Sequence, residues 1–379
     1  MGAQTAPGRW LDYVLRGGTS FEPFWRWFLG AATRDLLFVV GRGFDPRMTN
    51  AVSTVLSLGG DGLRHCILLE YDEGQNSPSQ KHDNSIGANV REIEELFKNS
   101  GELTTRQIRM WSDDGRRRVG SRGAAGVFAS AAAIEPYTDI LVDISALPRS
   151  LYMPMLARLL NLVDQMPDVK RPNLHVVVGD NPKLDQLIVA EGLSDDASYL
   201  HGFESGIEQE ATADAPKIWM PILGEGKIGH FERINDLVAP DEIAPILPFP
   251  CANPRRTDDL ILEYRPYLFD VLRIEPTNFI YVPEQNPFGV YREIVSAIRH
   301  YTDALSALGG CKIVISALSS KLLSLGALLA AYDLKQANYR VGMAHVHAYG
   351  YTMSGEDVKQ DPAGELFEVW IAGEPYAVP

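Results

Sequence analysis

Cysteine is scarce in these 379 residues: Cys66, Cys251 and Cys311 stand far apart, with no CxxC pair among them. That excludes a disulfide-stapled scaffold or a cysteine-rich zinc module and fits a reducing cytoplasm, where the protein is expected to reside. No stretch reaches about 18 uninterrupted apolar residues, so no membrane-spanning helix is expected. The start, Met1-Gly2-Ala3-Gln4-Thr5-Ala6-Pro7, has no charged segment leading into an apolar one, so export is not expected. Positive charge is in deficit: Lys+Arg 35 against Asp+Glu 49 gives a formal charge of -14. Such a field repels polyanions and argues against a nucleic acid polymer as main partner. There is no Gly-x-Ser-x-Gly elbow. Gly224-Glu225-Gly226-Lys227 lacks the second glycine and the Lys-Ser/Thr spacing of a Walker phosphate loop.

What remains is a globular composition, with 45% hydrophobic and 22% charged residues, in a chain long enough for two domains. Short apolar runs alternate with helical patterns. Leu36–Val40, Ile67–Glu70, Ile140–Val142 and Leu174–Val178 read as buried strands, with a weaker one at Gln107–Met110. Between them lie helix-like stretches at about 47–58, 88–98, 121–133 and 150–164. After a polar, proline-rich stretch that includes Gly192–Asp196, Glu208–Glu210 and Pro240 to Pro254, the alternation resumes. There the strands are expected at 278–282, 312–316 and 341–346, with helices at about 288–306 and 320–333 and a final edge strand at Leu366–Ile371. The expected fold is α/β: two Rossmann-like halves, each a mainly parallel sheet covered by helices, joined by a proline-rich connection. The expected boundaries are 1–180 for an N-terminal domain with a Trp-rich leader, 181–277 for a loop-rich connection, and 278–379 for a C-terminal half.

Candidate chemistry sits where strands run into helices. Ile144-Ser145-Ala146-Leu147 recurs as Ile315-Ser316-Ala317-Leu318, each copy ending an apolar run and opening a helix. The turns carry Asp143, Ser145 and Arg149 in one case and Ser316, Ser319, Ser320 and Lys321 in the other. Hydroxyls, a cation and free backbone N–H groups at a strand's carboxyl end suit an anionic ligand; capping of the helices explains the serines equally well. Gly41-Arg42-Gly43-Phe44-Asp45-Pro46-Arg47 follows the first strand as a glycine turn, the alternative being a tight turn in which Asp45 and Arg47 pair. Glu284 and Asn286 stand at another strand end, where Asn286-Pro287 also makes a good helix start. Arg116-Arg117-Arg118 with Arg122 is the densest basic run and could clamp phosphate or lie solvated. His345 and His347 share a strand face but lack companions at ligand spacing, so no metal is expected.

The glycine turn resembles that of the leucine carboxyl methyltransferase group, in which Gly-x-Gly-Phe-Asp-x-Arg follows the first strand. Gly41, Gly43, Phe44, Asp45 and Arg47 match, while Arg42 and Pro46 replace a small residue and a hydroxyl. The resemblance implies S-adenosylmethionine as cofactor, with Glu70, or Asp72 beyond it, on the ribose. The paired serine turns, with the small-residue run 319–331, resemble the layout by which CARF domains, and the SAVED domains built from them, hold cyclic oligonucleotides.

The expectation is therefore a small anionic, nucleotide-like ligand, bound by a sensor or regulatory subunit of a bacterial defence or stress system. The alternatives are an S-adenosylmethionine-dependent methyltransferase, and a ligand-free assembly subunit that docks a protein partner through Trp10, Phe21, Phe24, Trp25, Trp27 and Phe28.

Overall fold

Apolar runs without alternation form strands buried on both faces, and here they build two parallel-cored sheets. The structure, a computed structural model, describes residues 8–74, 77–204, 207, 214–353 and 364–376. In chain order the strands are β1 (Val14–Gly17), β2 (Leu36–Gly41), β3 (Arg64–Asp72), β4 (Glu102–Arg109), β5 (Asp139–Asp143), β6 (Asn173–Asp180) and β7 (Ile188–Tyr199). Then follow β8 (Lys217–Ile222), β9 (Glu242–Ile243), β10 (Ile246–Pro248), β11 (Ile280–Val282), β12 (Lys312–Ala317), β13 (Val341–Met353) and β14 (Glu365–Ala372). The chain divides into one unit of Tyr13–Gly192 with Ala348–Pro379, and another of Met1–Asp12 with Leu193–His347.

The first unit's sheet has the order β1-β14-β6-β5-β2-β3-β4. Strands β6, β5, β2, β3 and β4 are parallel, and β14 lies antiparallel between β6 and β1. The chain builds outward from β2 through β3 to β4, then crosses back to add β5 and β6 on the other side. The order therefore reverses between β2 and β5, which is where such sheets open a crevice at their carboxyl ends. All six residues of β2 are buried. The helix Phe21–Ala31 packs Phe24, Trp25 and Phe28 onto this sheet beside His175 and Trp370.

The second sheet runs β11-β10-β8-β12-β13-β7, with β9 also on β8. Its core strands are parallel, and its order reverses between β8 and β12. Both expected Rossmann-like halves are therefore present, and their five parallel strands follow the same order.

The boundaries differ from expectation. Residues 181–277 are not a connection: they supply β8, β9 and β10 and the helices Ile228–Val238 and Arg256–Arg265 to the second sheet. Proline masked this, because the strand Ile246–Pro248 is too short to show a period. Gly192–Asp196, expected as loop, lies inside β7, whose polar, partly exposed faces carry no apolar signal. The final strand is not an edge: β14 is interior, and its one charge within the apolar run, Glu368, is buried against His175. Glu208–Glu210 and Met1–Pro7 lie outside the described residues.

Candidate functional site

In the first unit the loops after β2 and β5 meet at the switch point. A Cβ on Gly41 would lie 2.4 Å from Leu147 Cδ2, and one on Gly43 3.5 Å from the Ala146 Cβ. Any side chain at position 41 would have to displace that of Leu147, so glycine lets the two loops close on each other as they stand. The Tyr71 hydroxyl, at the end of β3, donates to Ala146 O at 3.3 Å, and Asn89 donates to Gly43 O at 3.0 Å. Ser145 is fully buried; its Oγ accepts from Gly179 N at 2.7 Å, and its own N–H donates to Asp143 Oδ1 at 2.8 Å.

Asp45 and Arg47 take up each other. Arg47 Nη2 lies 2.7 Å from Asp45 Oδ2 and 2.9 Å from Asp185 Oδ1, Nε donates to Asp45, and Nη1 donates to Gly179 O at 3.1 Å. Burial works against the guanidinium charge, but Asp45 and Asp185 outweigh it and raise the pKa. Arg47 thus clasps the loop rather than facing a ligand. Arg42 and Glu70 remain on the rim, 3.6 Å apart and partly exposed. Arg149 opens the helix Arg149–Gln165 immediately beyond.

In the second unit the hub is Arg256, which sequence reasoning missed. Its Nε and Nη2 grip Glu225 at 2.6 and 2.9 Å, Nη1 pairs with Glu284, and Nη2 reaches Ser319 Oγ at 3.2 Å. Glu225 follows β8, Glu284 follows β11 and Ser319 follows β12, so one guanidinium ties three strand ends. Burial would raise the Glu225 carboxyl, but Arg256 holds it below its ordinary value. Glu284 also accepts from Ala252 N at 2.7 Å. Ser320 caps the helix Lys321–Gln336, with Lys321 as its first residue. Asn286 caps the helix Pro287–Ala304, accepting from Phe288 N and Gly289 N. Ser316 turns inward and accepts from the Trp219 indole at 2.9 Å. The two serines of the repeated tetrapeptide thus do different work, one bracing a neighbouring strand end and one a tryptophan.

Of the basic run, Arg116 and Arg117 are exposed on a hairpin tip, whereas Arg118 is held by packing. The run is thus split between two solvated arginines and one seated against aromatic rings. The N-terminal aromatics are mostly internal: Trp10 packs edge-on against Tyr291 in the second unit, and Trp27 alone of the six is largely exposed. All three thiols are pushed up by burial, so none is a ready thiolate. Among the described residues no group of three or more His, Cys, Asp or Glu gathers to hold a metal, and no helix is long and apolar enough to cross a membrane.

Fold and strand ends define an α/β protein of two Rossmann-like units, each with a polar cluster at its switch point. No family model matches the chain, and no curated protein matches it. Among solved structures, a functionally unknown protein of Pseudomonas aeruginosa PAO1 is 12% identical, with 83% of this chain and 92% of that one covered and a TM-score of 0.23. A universal-stress-protein candidate from Pseudomonas aeruginosa UCBPP-PA14 gives 12% identity, the same coverages and a TM-score of 0.21. Similarity of this order identifies neither ligand nor activity.

Proposed function

We propose that this protein binds a nucleotide or nucleotide-derived small anion at the carboxyl end of its first sheet and acts as a sensor or regulatory subunit in a bacterial defence or stress system. The observation that carries the reading is the closure of the Gly41–Arg47 loop on the Ile144–Leu147 loop at the switch point, with Arg42, Glu70 and Arg149 around it. Glu70 offers carboxylate oxygens to a ribose diol, and Arg42 and Arg149 offer charge to phosphate. The second unit's cluster holds two carboxylates against one guanidinium, so it suits hydroxyl or cationic groups better than phosphate. Regulation rather than catalysis is favoured because Asp45, Asp185, Glu225 and Glu284 are held in pairs with Arg47 and Arg256. A methyltransferase remains the second reading, since Glu70 at the end of β3 suits the ribose of S-adenosylmethionine equally.

A thermal-shift screen over mono-, di- and cyclic nucleotides and S-adenosylmethionine tests this. A true ligand at 100 times its Kd stabilises by about 2.7 kcal/mol. The shift should vanish in Arg42→Ala with Glu70→Gln, two rim substitutions that leave the buried clasp intact. A shift with S-adenosylmethionine alone selects the methyltransferase, and no shift with any nucleoside compound overturns both readings.

A further inference from the structure

The hairpin between β4 and the helix Gly120–Ala125 holds a guanidinium in a manner that its neighbours do not exhaust. Ser112 N donates to Arg117 O at 2.8 Å and Val119 N to Met110 O at 2.9 Å, with Trp111 facing Arg118 across the hairpin. The Arg118 Cζ lies 4.5 Å from the Trp111 ring centroid and 5.0 Å from that of Tyr349, and the two rings lie within 20° of parallel. Cation–π contact to two rings fixes the plane of the guanidinium. Nη1 donates to Ala348 O at 3.0 Å. Nη2 is shielded from solvent yet finds no hydrogen-bond partner among the described residues. A shielded, unmatched N–H edge on a cation is costly and needs an explanation.

Its position suggests one. Ser121 Oγ donates to Ser150 O at 2.9 Å, so the end of this hairpin is pinned to the first turn of the helix that Arg149 opens. Arg118 and Arg149 both act on the Tyr351 phenol, which burial pushes up and both cations pull down. Arg118 and Arg149 thus lie on two segments joined by the Ser121–Ser150 hydrogen bond, and both cations act on the same phenol. Opposing charge comes from Glu73, which also acts on Tyr351 and whose carboxylate accepts from Ser77 at 2.6 Å.

We infer that Arg118, seated against Trp111 and Tyr349 beside Arg149, is a subsite for a phosphoryl group. It rests on the nucleotide reading only for the rest of the ligand, since the subsite asks for a tetrahedral oxyanion that accepts from the Nη2 edge. A planar fork immobilised by aromatic faces suits this better than a flexible ammonium.

The test is calorimetric titration of the full chain with inorganic pyrophosphate. Wild type should bind, with affinity falling as salt rises, and Arg118→Met, which keeps the aliphatic stem against both rings, should bind about tenfold more weakly or worse. Arg116→Ala with Arg117→Ala, at the exposed tip, should bind as wild type does. If the Met variant folds poorly, Arg118→Lys decides: weakening supports the subsite, and unchanged affinity overturns it. Absence of pyrophosphate binding in wild type also overturns it. Nucleoside diphosphates separate the two ideas. If they bind wild type and Arg118→Met equally, the subsite fails and the nucleotide reading stands; if pyrophosphate binds but no nucleotide does better, the subsite stands and that reading fails.

Discussion

His175 gives the sharpest expected outcome of the fold. Its imidazole is wholly buried, with Nδ1 2.7 Å from Glu368 Oε1 on β14 and Nε2 3.4 Å from Asp139 Oδ1 on β5. The rings of Trp25, Phe28 and Trp370 close around it. Burial alone would discharge the ring, but Glu368 and Asp139 overcome it and hold its pKa up to about 9. Burial would also raise Asp139, yet His175 keeps it below its ordinary value, while Glu368 is raised by its burial against the pull of His175.

In an unfolded chain the same imidazole titrates near 6.5. A group raised on folding contributes fully below about pH 6.5, and that contribution is lost as pH rises through about 9. Removing one partner of a buried ion pair costs about 3–5 kcal/mol, because the other charge stays buried. For a unit of this size, at about 2–4 °C per kcal/mol, His175→Gln should lower Tm by roughly 6–20 °C. Urea unfolding followed by tryptophan fluorescence reads this directly, since Trp25 and Trp370 flank the ring. Measured from about pH 6 to about pH 10, the gap between wild type and His175→Gln should narrow as pH rises. A gap below about 1 kcal/mol, or one that stays constant across that range, would refute the assignment of a charged imidazole.

Three further outcomes follow from particular contacts. Gly41→Val places a side chain where Leu147 sits and should destabilise by about 1–3 kcal/mol, with Leu147→Ala in the same chain recovering part of the loss in a double-mutant cycle. Arg256→Met strands Glu284 and Glu225 and should lower stability by up to about 3 kcal/mol, whereas Glu225→Gln, at the solvent side of the cluster, should change it by under about 1 kcal/mol in urea melts. Asn286→Ala removes the cap of the helix Pro287–Ala304 and should cost about 1 kcal/mol, with Asn286→Ser retaining most of it.

The strands were legible wherever one apolar run met one buried strand, as with Leu36–Val40 and Leu174–Val178, because burial on both faces leaves an unbroken signal. The pairing of Asp45 with Arg47 and the capping by Asn286 and Ser320 were legible too, since both depend on spacings of a few residues. Arg256 was not, because its partners lie in distant loops and its helix follows a proline-rich stretch. A partial signal existed: Thr257-Asp258-Asp259 after Pro254 is a fair helix start, with acids in the first turn. The interior place of β14 was not legible either, since the buried Glu368 within its apolar run makes sense only with its partner known. His175 inside Leu174–Val178 was that partner, and two polar residues, each alone in an apolar run, are a pattern from which a buried pair can be inferred.

The charged groups at the two switch points also decide what kind of ligand the first unit could take. Arg47 and Arg256 are each enclosed by two carboxylates, so an incoming phosphate would have to displace one of them from a bidentate or buried pair. That exchange gains little, because one charge-assisted pair replaces another and a carboxylate is left without its partner. Arg118 differs in having aromatic faces and a carbonyl as neighbours, with Glu73 acting on it but forming no salt bridge to it among the described residues. If the subsite proposed at Arg118 holds, the phosphoryl end of a ligand sits nearer to the hairpin than to Arg47 in the glycine turn.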